Sequence, residues 1–299
     1  MSPINVPSGK IVCLYGPTAS NKSDIAISLA HKIGGIIINA DSQQIYNELP
    51  ILTSQPSKKS HNLAVHKLYG NISFNVRLSV YKWLELIVNE IERAIEANII
   101  PILVGGTGLY FFCLINGIAK IPNITECTKK KVQTIICGKP NTEIHRLLQK
   151  YDANLAKKLN INDRMRIIRG LEIFVETGKR MSEWQKLNQL FFAKEKFLNI
   201  YSCPKREIVY SNIESRLFKM LNIGVIDEVE NVLKKYSLKD LPKIIGLKTI
   251  SNYLMGKTTY DNMINEIQKL TNNYAKKQYT WFNNKFAHHY IIENYSSIM

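Results

Sequence analysis

The chain has 299 residues, of which 45% are hydrophobic and 21% are charged. This ordinary globular composition excludes a wholly disordered chain. Lysine and arginine total 40 against 24 acidic residues, which gives a formal net charge of +16. Such an excess suggests a polyanionic partner, nucleic acid or a diphosphate, although a lysine-rich coding bias explains it about as well.

The cysteines and the N-terminus predict a cytoplasmic protein. None of the five cysteines forms a CxxC pair, so neither a disulfide framework nor a zinc knuckle is expected. The first ten residues, MSPINVPSGK, lack the apolar segment of a secretory signal. Residues 99–119 are the most apolar window, but Pro101 and the glycine-rich run at 105–108 leave it too short to span a membrane. A monomer is the default expectation.

The N-terminal part alternates short apolar strands with amphipathic helices. Strands are predicted at Lys10–Leu14, Gly35–Asn39 and Ile99–Val104, and helices at Lys22–Lys32 and Val80–Glu96. This alternation is typical of a parallel sheet with right-handed crossovers. The expected fold class is therefore α/β.

The pattern changes near residue 120. From there to about residue 196 helical periodicity and charged residues dominate, and no strand is predicted. A strand at Lys196–Cys203 follows, then helices at Lys205–Leu221, Val225–Tyr236, Lys243–Met255 and Tyr260–Lys285, and a short β-branched segment at Ala287–Glu293. The simplest architecture is an α/β core, residues 1–119 and 197–299, interrupted by a helical insertion at 120–196.

A phosphate-binding loop is predicted where the first strand meets the first helix. Its residues are Gly16, Pro17, Thr18, Ala19, Ser20, Asn21, Lys22 and Ser23. In such a P-loop, backbone N–H groups converge on a phosphate, the lysine adds a positive charge, and the serine hydroxyl can ligate Mg²⁺. Asn21 stands where a glycine is usual, but asparagine tolerates a positive φ better than most residues, so the turn is expected to form.

Two further segments follow predicted strands at the same edge of the sheet. Asp41, with Ser42, Gln43 and Gln44, comes directly after Gly35–Asn39, and Thr107 follows Ile99–Val104. Ligands of open α/β sheets bind at this edge. Asp41 could act there as a general base or a metal ligand, or it could only cap the next turn. The segment around Thr107 could likewise be an ordinary tight turn.

Basic residues cluster in the second half of the chain. Arg164, Arg166 and Arg169 share one predicted helix, and Arg216 and the segments at 241–248 and 274–282 add basic residues beside aromatic residues or a glycine. These patterns suit contact with an RNA backbone. A solvated helix face explains each of them about as well.

Taken in order, these segments resemble the tRNA dimethylallyltransferase family, the bacterial tRNA isopentenyltransferases. The segments are GPTASNKS, DSQQIY, Gln55-Pro56, His66-Lys67-Leu68, VGGTGLY, NDRMRIIRGLE with TGKRMSEW, and YAKKQYTWF. They extend from about residue 10 to about residue 282. Each segment alone is unspecific, whereas the ordered set is highly specific.

The resemblance implies a P-loop kinase-like core and transfer of a dimethylallyl group from dimethylallyl diphosphate. The implied acceptor is the exocyclic N6 amine of the adenine at tRNA position 37, in the anticodon stem-loop, and diphosphate is released. In this family the P-loop holds the diphosphate of the donor rather than ATP. By position, residues 18–23 would bind that diphosphate with Mg²⁺, and Asp41, Thr107 and Arg216 would be catalytic. The implied tRNA contacts are Asp41, Ser42, Gln43, Gln44, Met165, Arg166, Ile167, Ile168, Arg169 and Lys277.

The sequence departs from the family at two positions. Asn21 replaces a glycine, and Lys277 stands where arginine is usual, which keeps the charge but loses the bidentate fork. Three alternatives remain: a prenyltransferase of free adenine nucleotides, a P-loop small-molecule kinase, and an inactive RNA-binding protein.

Overall fold

The computed structural model describes residues 4–76 and 78–294. The chain divides into two compact units, residues 1–115 with 192–299 and residues 116–191. The predicted insertion, 120–196, starts four residues later than the second unit and ends five residues later.

The first unit contains a sheet of six described strands. They are β1 (Ile11–Tyr15), β2 (Gly35–Asn39), β3 (His66–Lys67), β4 (Ile100–Gly105), β5 (Phe197–Ser202) and β6 (Tyr290–Ile292). The order is β3-β2-β4-β1-β5-β6 and every neighbouring pair is parallel. The prediction of an α/β fold with a parallel sheet is confirmed. All five residues of β1 are buried at the centre of the sheet, so the loop that follows β1 leaves from the middle of the sheet edge.

The described helices connect these strands and build the second unit. In chain order they are α1 (Lys22–Ile33), α2 (Lys58–Leu63), α3 (Val80–Glu96), α4 (Gly108–Asn116), α5 (Glu126–Ile136), α6 (Asn141–Tyr151), α7 (Ala153–Ala156), α8 (Arg164–Thr177), α9 (Met181–Trp184), α10 (Arg206–Asn222), α11 (Val225–Lys235), α12 (Leu247–Leu254) and α13 (Tyr260–Lys285). Among the described residues, no helix is both long and apolar enough to cross a membrane.

Local chemistry sets the ends of α1 and its packing on the sheet. Gly34 ends the helix with a φ of 65°, a left-handed conformation that glycine adopts without strain. Asp24 in the first turn and Lys32 in the last complement the helix dipole. Ile25 and Leu29 are buried against the sheet in one apolar cluster. This packing holds the start of α1 against the sheet, directly after the loop that follows β1.

Sequence periodicity missed two short elements and misplaced one helix start. The α2 segment, KKSHNL, has no buried residue and hence no apolar period, and β3 is only two residues long. The helix predicted from Lys243 begins instead at Leu247. Gly246 precedes it with a φ of 88°, which is incompatible with a continuous right-handed helix.

The second unit has a hydrophobic core of its own. Eight buried residues from α5, α6, α7 and α8 form it: Val132, Ile136, Ile144, Leu148, Leu155, Ala156, Ile167 and Leu171. Asp152 is completely buried nearby, and its carboxylate accepts hydrogen bonds from the backbone N–H groups of Leu155 (3.0 Å) and Ser182 (2.8 Å). These bonds satisfy carboxyl oxygens whose burial without partners would be costly.

Candidate active site

The loop after β1 forms the compact turn expected of a P-loop. Ala19 and Asn21 both adopt a φ of 60°, and Asn21 immediately precedes α1. Asn21 thus takes the left-handed conformation that favours glycine, as the sequence predicted. The ammonium group of Lys22 folds back over the turn, where it donates hydrogen bonds to the carbonyl oxygen of Pro17 and to Ser20 Oγ.

Residues that follow the second unit in the chain hold this turn in place. Ser202 Oγ, at the end of β5, donates to the carbonyl oxygen of Ser20 at 2.6 Å. Arg216 of α10 donates from Nη2 to Thr18 Oγ1 at 2.8 Å. Gly16 has no room for a side chain, because a Cβ would lie 2.3 Å from the carbonyl oxygen of Ser202. The predicted Arg216 is therefore a direct neighbour of the P-loop.

Asp41 is positioned by the buried side chain of Asn39. Asn39 Oδ1 accepts from the backbone N–H of Asp41 (2.8 Å), and Asn39 Nδ2 donates to the carbonyl oxygens of Asp41 (3.1 Å) and Leu68 (3.0 Å). Asp41 Oδ1 accepts from the backbone N–H of Gln43 at 2.9 Å. These bonds fix the backbone at the end of β2, and among the described residues Asp41 Oδ2 has no hydrogen-bond partner.

The loop after β4 packs directly against Asp41. A Cβ at Gly105 would lie 2.2 Å from the carbonyl oxygen of Ala40, so only glycine allows this approach. Thr107 Oγ1 accepts from the backbone N–H of Ser42 (2.9 Å) and donates to Ser42 Oγ (3.2 Å). The sheet edge thus brings the predicted Asp41, Ser42 and Thr107 together.

The P-loop and Asp41 open onto one pocket within the first unit. Its polar lining includes Thr18, Asp41, Gln43, Arg216 and Tyr274. Its apolar lining consists of Leu52, Ile213, Leu217, Met220, Val225, Ile245, Ile250 and Ile267. The pocket combines one arginine and one carboxylate with an apolar surface, which suits a ligand with one charged end and one hydrocarbon end.

Two desolvated cations, Lys22 and Arg216, lie at the P-loop turn. Burial lowers the pKa of Lys22 to about 7, while Asp41 opposes the shift and Arg216 adds to it. Burial also lowers the pKa of Arg216, again opposed by Asp41. Tyr274 has its pKa raised by burial and by the nearby Asp41. Desolvated cations next to a P-loop turn would gain from the arrival of a phosphate group.

Of the other residues predicted to contact tRNA, Gln43 and Gln44 are hydrogen-bonded within the protein, whereas Lys277 is exposed. Gln43 Oε1 accepts from the backbone N–H of Ile245 (3.2 Å), and Gln44 Nε2 donates to the carbonyl oxygens of Thr53 (3.0 Å) and Ser54 (2.7 Å). Both side chains therefore already anchor neighbouring loops. Lys277 is exposed on α13, in a groove lined by Lys276, Lys277, Thr280, Trp281, Asn284 and Lys285.

The predicted residues 165–169 all lie on α8 of the second unit. Met165 is 77% exposed, and Arg166 and Arg169 make ion pairs with Asp163 (3.2 Å) and Glu172 (3.7 Å). Ile167 needs a correction, because its side chain is completely buried in the core of the second unit and presents no surface to a partner. Ile168 is half-buried against the same core.

Two residues of the site were not singled out from the sequence, Asn39 and Gln278. Gln278 is buried on α13 and bonds to Thr18 and to Gly106, which are 260 and 172 residues away in the chain. A signal for it exists in the sequence. The buried residues Thr271, Ala275, Gln278 and Phe282 follow helical spacing, so an amide stands where an apolar residue is expected.

Oxygen donors that suit Mg²⁺ border the turn. They are the exposed hydroxyl of Ser23, the hydroxyl of Thr18 and the carboxylate of Asp41. The described residues contain no group of three or more His, Cys, Asp or Glu side chains that could hold a metal ion. Mg²⁺ commonly keeps several waters and binds through one or two protein groups plus substrate phosphates. The donor set therefore fits a metal that arrives with a diphosphate.

The parallel sheet, the turn between β1 and α1, and the inserted helical unit define a P-loop α/β protein. A family profile described as IPP transferase matches residues 44–285. A tRNA dimethylallyltransferase of Wolbachia pipientis wMel is 40% identical over 287 residues, 95% of each chain, and one of Pelagibacter ubique is 40% identical over 91% of this chain and 88% of its own. The chain therefore belongs to the IPP transferase family.

Solved structures agree with this assignment. A eukaryotic dimethylallyltransferase described as acting on tRNA superposes with a TM-score of 0.75 at 27% identity, covering 91% of this chain and 69% of its own. The full-length tRNA isopentenylpyrophosphate transferase of Bacillus halodurans superposes with a TM-score of 0.69 at 26% identity, covering 97% and 92%. The likeness extends over both units of the chain.

Proposed function

We propose that this protein transfers a dimethylallyl group from dimethylallyl diphosphate to the exocyclic N6 amine of the adenine at tRNA position 37. The C1–O bond of the donor breaks, a C1–N6 bond forms, and diphosphate leaves with the bonding electron pair. The observation that carries the proposal is the pocket in which Thr18, Asp41 and Arg216 meet an apolar lining. Membership of the IPP transferase family supports the same reaction.

The cationic groups at the P-loop turn would take the diphosphate. Lys22, Arg216 and the backbone N–H groups at the start of α1 would neutralise the charge that develops on the leaving group. Thr18 would orient Arg216 through their 2.8 Å hydrogen bond. Ser23 would ligate Mg²⁺ at the diphosphate, and the metal would supply additional charge neutralisation there.

Asp41 would orient the adenine amine and accept its proton. The amine is a weak nucleophile because its lone pair is delocalised into the ring, so reaction depends on the resonance-stabilised allylic cation character of the donor. Asp41 Oδ2 has no hydrogen-bond partner among the described residues and is therefore available to the amine. Thr107 is bonded to Ser42, the residue that follows Asp41. A stacked base cannot reach this site, so the adenine must be extruded at a cost of about a few kcal/mol.

Contacts with the rest of the anticodon stem-loop would offset that cost. The exposed Met165 and Arg166 and the half-exposed Arg169 of α8, with the exposed Lys277 of α13, are the proposed contacts, and the phosphate backbone is the target. A tRNA substrate fits a cytoplasmic protein, and so do the five free cysteines, three of which are buried or part-buried. We propose that the protein acts as a monomer.

A label-transfer assay tests the reaction. Radiolabelled dimethylallyl diphosphate and Mg²⁺ are offered with an unmodified anticodon stem-loop, with the same RNA carrying guanine at position 37, and with AMP. We expect label only in the adenine-containing RNA. Label in AMP would instead identify a prenyltransferase of free adenine nucleotides.

Two further outcomes contradict the proposal. RNA binding without label transfer would indicate an inactive RNA-binding protein, and Asn21→Gly would then show whether the altered P-loop is the cause. Transfer of the γ-phosphate of ATP to a small molecule, with no label in RNA, would indicate a kinase.

A further inference from the structure

The side chain of Gln278 joins two loops of the candidate active site. Its Oε1 accepts from the backbone N–H of Thr18 and its Nε2 donates to the carbonyl oxygen of Gly106, both at 2.8 Å. The partners fix the orientation of the amide, because only Oε1 can accept from an N–H and only Nε2 can donate to a carbonyl. Gln278 is 4% exposed, so water cannot replace either bond.

The two loops follow neighbouring strands of the sheet and carry groups with different roles in the proposed reaction. Thr18 follows β1 and holds Arg216 on the diphosphate side. Gly106 follows β4 and precedes Thr107, which bonds to Ser42 on the acceptor side. Since β1 and β4 are hydrogen-bonded only up to Tyr15 and Gly105, the amide of Gln278 continues the link beyond the strands.

Gly106 shows how closely this amide approaches the proposed base. A Cβ at Gly106 would lie 2.2 Å from Gln278 Nε2 and 3.4 Å from Asp41 Oδ2. The amide and the carboxylate therefore converge on the same side of one glycine. A shift of the amide would therefore move the backbone of Gly106, which lies next to Asp41.

We propose that Gln278 is a positioning residue that holds the diphosphate-binding turn and the acceptor-side loop at a fixed spacing. This proposal rests on the proposed function. Because the Thr18 N–H is already bonded to Gln278, that group is not among the donors that meet the diphosphate. Gln278 should therefore affect the rate of transfer more than the affinity for either substrate, since misplacement of about 1 Å can cost about 100-fold in rate.

The first test compares Gln278→Met with Gln268→Met. Methionine keeps the volume of the side chain and removes both hydrogen bonds, and Gln268 is a half-exposed residue of the same helix that does not line the pocket. We expect the single-turnover rate of Gln278→Met at saturating substrates to fall about 10- to 100-fold, with both dissociation constants within about threefold of wild type. Gln268→Met should match wild type.

Hydrogen exchange gives a readout that does not need activity. Peptides that cover residues 16–20 and 104–108 should exchange faster in Gln278→Met than in wild type. In Gln268→Met their exchange rates should equal those of wild type. If Gln278→Met does not fold, Gly106→Ala displaces the same amide without altering α13, because its Cβ would meet Gln278 Nε2. The same rate loss is expected for that variant.

A charged replacement separates positioning from a purely structural role. In Gln278→Glu the ionised carboxylate cannot donate to Gly106, whereas the neutral carboxyl can both donate and accept. Its rate relative to wild type should rise as the pH falls. The groups facing Asp41 from other elements are Lys22, Tyr69, Tyr110, Arg216 and Tyr274, and both proteins share them.

The outcomes distinguish the two proposals. If wild type transfers label and Gln278→Met does so at the same rate, the positioning role is wrong. A loss of tRNA affinity with unchanged chemistry would also overturn it, since it would place Gln278 in the RNA interface. If wild type transfers no label while the exchange difference is present, the proposed function fails and the link between the two loops stands.

Discussion

At the scale of single residues, the buried amides of Asn39 and Gln278 position the loops of the site. Each uses both ends of its amide on backbone groups: Asn39 on Asp41 and Leu68, Gln278 on Thr18 and Gly106. Such bonds recover the cost of burial only in one geometry. The groups proposed to bind and react are thereby held in place before a substrate arrives.

Asp41→Asn tests the proposed base. Asparagine retains an oxygen that can accept from the Gln43 N–H but cannot take a proton from the amine. We expect the single-turnover transfer rate to fall about 100- to 10,000-fold, the usual contribution of general-base catalysis, with tRNA affinity within about threefold. Asp240→Asn, at an exposed loop position, serves as the control. Wild-type turnover in Asp41→Asn would remove Asp41 from the role.

The lowered pKa of Lys22 leads us to expect that diphosphate binding depends on pH. Burial lowers its pKa to about 7, so raising the pH deprotonates it in the free protein, whereas a bound diphosphate favours the charged form. Affinity for inorganic diphosphate should therefore fall between about pH 7 and pH 9, with proton uptake on binding in that range.

Titration calorimetry in buffers of different ionisation enthalpy measures that uptake. Lys22→Met is the control, because it retains the ionisation of diphosphate itself and removes that of the lysine. If both proteins show the same pH dependence, the lysine is not the titrating group.

At the scale of elements, the turn between β1 and α1 holds two non-glycine residues in a strained backbone conformation. Ala19 and Asn21 both have a φ of 60°, where a side chain costs about 1–2 kcal/mol relative to glycine, less for asparagine. The turn is retained by bonds from Ser202 and Arg216, which lie on β5 and α10. Elements that follow the second unit thus stabilise a conformation that the loop residues alone disfavour.

Asn21→Gly and Asn21→Val test this strain. Glycine should keep the transfer rate within about twofold of wild type, whereas valine should lower the free energy of unfolding by about 1–2 kcal/mol and weaken diphosphate binding. Asn98 has a φ of 56° away from the site, so Asn98→Val should cost similar stability without affecting diphosphate. Denaturant unfolding and diphosphate titration provide the two measurements.

Helix α8 presents the proposed RNA-binding surface. Arg169→Ala should raise KM for tRNA and reduce the slope of log affinity against log salt by about one, because one phosphate contact is lost. Arg93→Ala is a matched control, since Arg93 makes an ion pair of the same i,i+3 type with Glu90 on α3. Equal effects in the two variants would assign Arg169 to general charge rather than to a specific contact.

Periodicity was a good guide to the long elements and a poor one to polar contacts. The predicted strand Gly35–Asn39 and helix Val80–Glu96 match the structure residue for residue, because each places apolar side chains at regular spacing. The P-loop and Asp41 were also predicted, because both follow buried strands at one sheet edge. Gln278 and Asn39 were not, since their bonds depend on strand and helix positions that sequence spacing does not encode.

At the scale of the whole molecule, the net charge of +16 and the separate core of the second unit suggest that the two units bind different substrates. The pocket proposed to bind the diphosphate is lined entirely by residues of the first unit, and the exposed residues of α8 belong to the second. Binding of donor and of tRNA should therefore respond differently to damage in each unit.

Ile167→Ala tests this expectation. Removal of a completely buried isoleucine side chain should cost about 2–5 kcal/mol in the second unit, and tRNA affinity should fall while inorganic diphosphate affinity is retained. Ile135→Ala in the same unit is the control, since Ile135 is 43% exposed. Thermal unfolding and the two titrations are measured on the full chain. Equal loss of both affinities would show that the units fail together.

The strand order has a consequence for how the protein is made. The central strand β1 pairs on one side with β4 and on the other with β5, which is synthesised only after the whole second unit. A nascent chain that has emerged up to β4 therefore exposes one edge of its most apolar strand, and such an edge is prone to pair with other chains. During translation, the interval needed to make the roughly ninety residues between β4 and β5 is the period of greatest aggregation risk. Chaperones that shield open sheet edges would act on this protein in that interval.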